Sequence, residues 1–243
     1  MIPTVNSPAS MASRIFHPPE IWIILQMLGA VAPDLPVPPE ITTDLRAMRA
    51  AQANLREQSV LQTAAGGALN LAPEIEALIR PAAYPTHVVV ANISDNAKGG
   101  KLARIVCFNW TPEAMVVNWV DEVGDHHFES YASQDAQTCV WDHLSRLCDL
   151  NIEEPTAALA NLTRDEAERL MKEMRQAVLL MAVSDVQSPQ KVARALSWFV
   201  SGRHAWLMQK NDHGEQAVPR PTSQADLAHA VSELVDQTVS GQA

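Results

Sequence analysis

Two segments of the chain repeat one order of features, and this repeat constrains the fold more than any other property of the sequence. The first segment begins at Cys107 and the second at Trp198. Each contains an aromatic strand, a turn, a strand with a tryptophan, an Asp-His pair beside a glycine, and a Ser-Gln pair that opens a helix. Because such repeats form similar structural units, we predict an α+β fold of two pseudo-symmetric halves, with an antiparallel sheet covered by helices.

Changes in composition set the expected borders of the two halves. Residues 1–17 are rich in Ser, Pro and Asn and have few periodic apolar positions, which predicts a flexible leader. We expect the first α+β half over residues 18–150 and the second over residues 163–238. A linker covers residues 151–162, and residues 239–243 form a frayed tail.

Local signals predict the elements of the first half. Proline in the first turn indicates a helix from Pro18 to about Gly29, and a three-to-four spacing of apolar residues that includes Leu45 and Leu55 indicates a second helix. A third, short helix is expected between Pro73 and Pro81. Four strands then form a meander, followed by a helix with Ser133 as its N-cap; the strands are expected over residues 87–93, 102–110, 114–120 and 126–131.

The second half is predicted to open with a long helix. Thr163 and Glu166 have the spacing of a capping box, and an apolar stripe follows at helical spacing. Two strands over residues 195–200 and 204–210 and a final helix over residues 224–235 complete this half. The residues of the predicted helical stripe are Ala167, Leu170, Met171, Met174, Val178 and Met181.

Charge and cysteine content exclude several classes of function. A net charge of −10 with only 18 basic residues opposes binding to nucleic acid. Cys107, Cys139 and Cys148 lack the spacing of a zinc site or a disulfide framework, so we expect buried, reduced thiols in a reducing compartment. No apolar run is long enough to cross a membrane and no signal peptide is recognisable, so a cytoplasmic location without membrane contact is expected.

The sequence contains no recognisable catalytic site. The glycines near Lys98 lie between two strands, which is typical of a hairpin tip rather than a phosphate-binding loop. His126 and His127 are adjacent in a strand and face opposite sides, so they cannot bind one metal ion together. His143 and His229 are interpreted as surface residues. We therefore expect a protein that is not an enzyme, with no catalytic residue, cofactor or metal.

The tryptophans supply the candidates for a binding site. Six tryptophans and only two tyrosines are present, and tryptophan is enriched at binding hot spots as well as in cores. Trp119 and Trp206 occupy equivalent strands of the two repeats. They are our partner-binding candidates, expected to be exposed or to line a groove.

Several segments of the chain resemble segments of a known protein family. They are Leu35-Pro36, the stretch from Gly67 to Pro81, Gly202-Arg203-His204, Asp212-His-Gly214, Val218-Pro-Arg-Pro221 and the C-terminal amphipathic helix. In this order they resemble the EspG family, the cytosolic chaperones of type VII secretion. The resemblance implies two α+β halves and a role in binding a helical export substrate and keeping its apolar end soluble. It assigns no contact residues.

Three functional hypotheses follow. A non-enzymatic adaptor or secretion chaperone predicts an exposed apolar groove for a helical partner. A self-assembling structural or regulatory protein, which would be a homo-oligomer, predicts a patch that complements itself about a twofold axis. A small enzyme or ligand-binding protein predicts a deep pocket with converging polar groups.

Overall fold

The computed structural model describes residues 10–30, 44–96, 101–148, 150, 152–156, 159, 163–188, 192–209 and 218–240. Within them the helices are α1 (Pro18–Leu28), α2 (Leu45–Glu57), α3 (Pro73–Ala83), α4 (Ala136–Leu147), α5 (Arg164–Lys172) and α6 (Gln224–Val239). The strands are β1 (Ala12–Phe16), β2 (Leu61–Thr63), β3 (Leu69–Leu71), β4 (His87–Asp95), β5 (Lys101–Trp110), β6 (Ala114–Val120), β7 (His126–Ala132), β8 (Met174–Ser184), β9 (Val192–Ser201), β10 (His204–Gln209) and β11 (Val218–Thr222).

Nine strands form one open antiparallel sheet, in the order β1-β7-β6-β5-β4-β8-β9-β10-β11. From the central strands β4 and β8 the order runs outward as β4-β5-β6-β7 on one side and as β8-β9-β10-β11 on the other. Each run of four is followed in sequence by a helix, α4 or α6. The predicted α+β class is confirmed, and this strand order agrees with the repeat read from the sequence.

Contacts between Cα atoms divide the chain into two compact units. One unit comprises the described residues of 9–88 and 106–133, and its core lies between helices α1 and α3 and strands β6 and β7. Phe16 and Phe128 meet edge to face in this core, with ring centroids 6.0 Å apart. Helix α1 begins with prolines at its first turn and ends at Gly29, whose φ of 67° is readily adopted by glycine.

The second unit comprises the described residues of 89–105 and 134–243. Its strand β8 alternates between buried and more exposed positions, and α6 packs against β8 and β9. Ser184 ties the two elements together because its Oγ donates a 2.9 Å hydrogen bond to the carbonyl oxygen of Thr238. Ser223 caps α6 by accepting from the N–H of Asp226 at 3.0 Å, as its position before the helix predicts.

The long helix predicted after Thr163 is wrong beyond Lys172. The capping box of Thr163 and Glu166 is present, but α5 ends at Lys172 and β8 begins at Met174. Residues 177–183 are apolar at every position, and such a run contains helical spacing by chance. The central position of β8 in the sheet explains this composition, since a central strand is partly covered on both faces.

The predicted leader is also wrong in part. Residues 12–16 form the edge strand β1, which pairs with β7, and Phe16 is buried. Residues 1–9 lie outside the described residues. Strand β11, at the other edge, was not predicted. It contains two prolines, which an edge position tolerates because their missing N–H groups can face away from the neighbouring strand.

The compact units do not coincide with the predicted borders of the halves. Helix α4, expected to close the half over residues 18–150, lies in the same unit as α5, β8 and α6. At the C-terminus the final helix extends to Val239, four residues beyond the expected end at Val235. The borders of the two predicted halves stay a prediction.

Candidate functional site

An open apolar groove of about 430 Å³ lies on the sheet of the second unit. Its floor comes from β4, β8, β9 and β10, and the end of α5 contributes one wall. The lining is mostly hydrophobic, with a few short polar side chains from β4 and β9. The residues that line it are Asn92, Ser94, Met171, Met174, Ala177, Val178, Leu179, Ser197, Trp198, Phe199 and Met208.

The alternation of β8 creates this groove. Side chains at even positions, such as Leu180, are buried, whereas Leu179 and Met181 keep 39% and 41% of their surface exposed. In the ladder with β9, Leu179 lies opposite Ser197 and Ala177 lies opposite Phe199. Directly opposed residues in an antiparallel pair share a face, so one face of the sheet presents apolar side chains to solvent here.

Trp206 lies on the same face of the sheet as the groove, beside Phe199, but it does not line the groove. Its indole is 1% exposed and stacks against Phe199, with ring centroids 6.4 Å apart and 16° between the ring planes. The expectation of an exposed Trp206 is wrong, because its ring lies between Phe199 of β9 and Pro221 of β11, the residues directly opposite it on the neighbouring strands. We therefore assign Trp206 to the support of Phe199, which is 4% exposed and lines the groove.

Three methionines give the groove an adaptable wall. Met171 comes from α5, Met174 from the start of β8 and Met208 from β10. Methionine has an unbranched, polarizable side chain that fits partners of varied shape. The backbone beneath is fixed, since the carbonyl of Met174 accepts a hydrogen bond from Asn96 and the carbonyl of Ala177 accepts one from Ser94 Oγ at 3.4 Å.

Trp119, the other predicted contact residue, lies in the first unit described above. It is half-buried, and its ring stacks on His127 with centroids 4.9 Å apart and 12° between the planes. His127 Nε2 lies 2.9 Å from Asp121 Oδ2, and this contact lowers the pKa of the Asp121 carboxyl. The two predicted tryptophans thus belong to different units, and a partner-binding role for Trp119 stays a prediction.

Two further histidines lie beside this stacked pair. His17 Nδ1 is 2.6 Å from Asp125 Oδ1, and this hydrogen bond raises the pKa of the His17 imidazole. His126 is buried, which lowers its pKa, and its Nδ1 has no hydrogen-bond partner among the described residues. His126 and His127 belong to opposite faces of β7, as the sequence predicts, with only His127 facing Trp119.

A cysteine and a histidine that the sequence search did not pair lie close together in α4. Cys139 Sγ is 3.5 Å from His143 Nδ1, but that nitrogen also lies 3.0 Å from the Cys139 carbonyl oxygen. His143, expected at the surface, is 6% exposed because its helix face is packed. The spacing of four residues on a helix was the available signal. Cys107, Cys139 and Cys148 are buried, free thiols, and burial raises the pKa of Cys148 to about 12.

The described part of the chain contains no cluster of three or more His, Cys, Asp or Glu residues suited to a metal ion. None of the helices described is both long and apolar enough to cross a bilayer. The hairpin tip at residues 97–100, Leu35-Pro36 and Asp212-His-Gly214 lie outside the described residues.

Comparison with known proteins places this geometry in context. No family model and no curated protein matches the chain. Among solved structures, the chain is similar to the type VII secretion system chaperone EspG5 of Mycobacterium tuberculosis, solved in complex with the PE25-PPE41 dimer. The likeness covers 93% of this chain and 96% of that chain, with a TM-score of 0.58 and 16% sequence identity. The chain has the fold of this chaperone. The likeness confirms the fold that was expected from the resemblance to the EspG family. Because only 16% of the residues are identical, it shows nothing beyond the fold.

Proposed function

We propose that this chain is a non-enzymatic protein-binding adaptor, a secretion chaperone that binds a helical partner in the cytosol. The observation that carries the proposal is the likeness to EspG5 over 93% of this chain, because that chaperone was solved with a protein dimer bound. Fold alone does not determine function, so the proposal also needs a surface on this chain that suits a protein partner.

The groove beside Leu179 is that surface. Leu179 and Met181 are exposed large apolar side chains on adjacent outward positions of β8, and Met171, Met174 and Met208 extend the apolar area on neighbouring elements. An amphipathic helix binds such a groove by inserting side chains spaced three and four residues apart. We infer that the occupant is the apolar end of a helical export substrate, which the chaperone keeps from aggregating before secretion.

The shape of the groove favours a polypeptide over a small metabolite. Its polar lining consists of Asn92, Ser94 and Ser197, and none of these side chains is charged. Small-molecule sites hold most of their ligand in an enclosed cleft and orient it with converging polar groups. An open, apolar, methionine-rich surface instead supports binding to varied helical sequences.

Matched variants test the proposal by affinity capture from the cytosol of the source organism. Leu179→Lys places a charge in the groove, whereas Val123→Lys places the same charge at a residue that is 81% exposed in the β6–β7 turn. We expect the wild type and the Val123 variant to retain one small helical protein at near-stoichiometric yield and the Leu179 variant to lose it. Equal recovery on all three baits would contradict a role for the groove, and recovery of no helical protein would contradict the chaperone function.

A further inference from the structure

The two edges of the large sheet differ in their capacity to pair with another strand. Strand β11, at one edge, carries Pro219 and Pro221, which lack backbone N–H groups. Proline on an edge strand opposes strand addition. Strand β1, at the other edge, contains no proline and pairs with one strand, β7, within the described residues. Only the β1 edge is therefore suited to extension.

The backbone groups of Ser13 and Ile15 face outward at this edge. Ser130 of β7 lies directly opposite Ala12 of β1. Its carbonyl oxygen points toward β1, since it accepts a 2.8 Å hydrogen bond from the N–H of Met11. In an antiparallel pair, residues alternate between bonding to one neighbour and to the other. Ala12 and Arg14 thus bond toward β7, and the N–H and C=O groups of Ser13 and Ile15 face away from β7 and pair with no strand among the described residues.

Two large side chains at this edge are unusually apolar for residues that are exposed to solvent. Met11 and Ile15 are 61% and 55% exposed, and both lie within a five-residue span of the edge. Native edge strands usually carry charge or proline that discourages pairing, and β1 carries a single charge, at Arg14. A covering strand that places apolar side chains beside Met11 and Ile15 would remove both from water.

A second copy of β1 can supply such a strand if the two copies pair in one particular register. An antiparallel pair centred on Arg14 would set two guanidinium groups opposite each other, which is unfavourable. A pair centred on Ser13 sets Ile15 opposite Met11 and Arg14 opposite Ala12 of the other copy. This register opposes apolar to apolar side chains and separates the charges, and it places the outward-facing N–H and C=O groups of Ser13 in the two copies opposite each other.

We propose that two copies of the chain pair antiparallel through β1, centred on Ser13, and join their sheets about a twofold axis. Such an interface uses the same patch on both copies and closes after two molecules. The prolines of β11 prevent growth from the opposite edge. The proposed dimer uses β1, whereas the groove is lined by residues of the other unit.

Disulfide trapping tests the register directly. The three native cysteines are buried, so engineered cysteines report on the edge. Ser13→Cys alone should form a covalent dimer under mild oxidation, and Arg14→Cys alone should not. A mixture of the Ala12→Cys and Arg14→Cys variants should form the heterodimer. Equal trapping at all positions, or trapping of Arg14→Cys but not of Ser13→Cys, would overturn the proposed register.

Analytical ultracentrifugation of the protein without engineered cysteines provides the second test. We expect a concentration-dependent dimer, and we expect Ile15→Lys to raise its dissociation constant by about tenfold or more. The far-ultraviolet circular dichroism of this variant should match that of the wild type, since Ile15 is largely exposed. A wild-type protein that stays monomeric at all concentrations, or a variant that dimerises as tightly as the wild type, would overturn the proposal.

Discussion

Trp206 and Phe199 lie on adjacent strands with nearly parallel rings, 6.4 Å between centroids, and only Phe199 lines the groove. Trp206 is 1% exposed and lies directly opposite Phe199 on the neighbouring strand, so its indole supports Phe199 from the side. Trp206 therefore holds the groove in shape, whereas Phe199 and the other lining residues are placed to contact a partner. From the sequence, Trp206 itself was expected to make that contact.

Substitution of Trp206 should therefore affect folding first. Trp206→Ala removes a fully buried ring, and we expect a loss of about 3–5 kcal/mol in the free energy of unfolding. Trp119→Ala removes a half-buried ring and should cost clearly less. Urea denaturation followed by circular dichroism measures both. If the two variants lost the same stability, the assignment of Trp206 to the core and of Trp119 to a partly open surface would be wrong.

Adjacent leucines of β8 provide a matched test of the strand assignment. Leu180 is fully buried and Leu179 is 39% exposed. Leu180→Ala should lower the free energy of unfolding by about 2–5 kcal/mol, and Leu179→Ala should cost a small fraction of that. Equilibrium denaturation compares the two. Similar losses at both positions would contradict the alternation that forms the groove.

The contact between His17 and Asp125 predicts a local dependence on pH. The hydrogen bond to Asp125 raises the pKa of His17 above 6.5. A raised pKa in the folded state means that this contact stabilises the fold below pH 6.5, and that the stabilisation is lost as pH rises through the folded-state pKa. In an NMR titration, Asp125→Asn should return the pKa of His17 towards 6.5. An unchanged pKa in this variant would show that the contact does not form in solution.

His126 predicts the opposite dependence. Burial lowers its pKa below 6.5, so the unfolded chain binds a proton more readily than the folded chain. Stability should therefore fall as pH drops below 6.5 towards the folded-state pKa. The melting temperature of His126→Phe should decline less between pH 7 and pH 5 than that of the wild type. An equal decline in both proteins would assign acid sensitivity to other groups.

Local signals predicted a large share of the fold. Proline at the start of α1 and glycine at its end gave that helix nearly residue by residue, and the capping box at Thr163 and Glu166 marked the start of α5. The meander of β4 to β7 followed from alternation and turns. These signals succeed because backbone sterics and a single side-chain hydrogen bond decide them.

The candidate site was harder to predict because its residues depend on neighbours distant in sequence. Residues 177–183 are apolar throughout, and only the position of β8 in the sheet separates Leu179, in the groove, from Leu180, in the core. Trp119 and Trp206 both lie on inner strands of the sheet. Trp206 lies between Phe199 and Pro221 and is 1% exposed, whereas Trp119 stacks on His127 and is only half-buried. Burial of this kind is a tertiary property and leaves no local pattern.

A helical partner that fills the groove should contact Leu179, and site-specific photo-crosslinking in the source cytosol tests for this contact. A benzophenone amino acid would replace Leu179 in one protein and Val123, which is 81% exposed and outside the groove, in another. We predict that the probe at position 179 crosslinks to a single helical protein and that the probe at position 123 does not. The claim would be contradicted if position 179 formed no adduct, or if both positions crosslinked to the same proteins with equal yield.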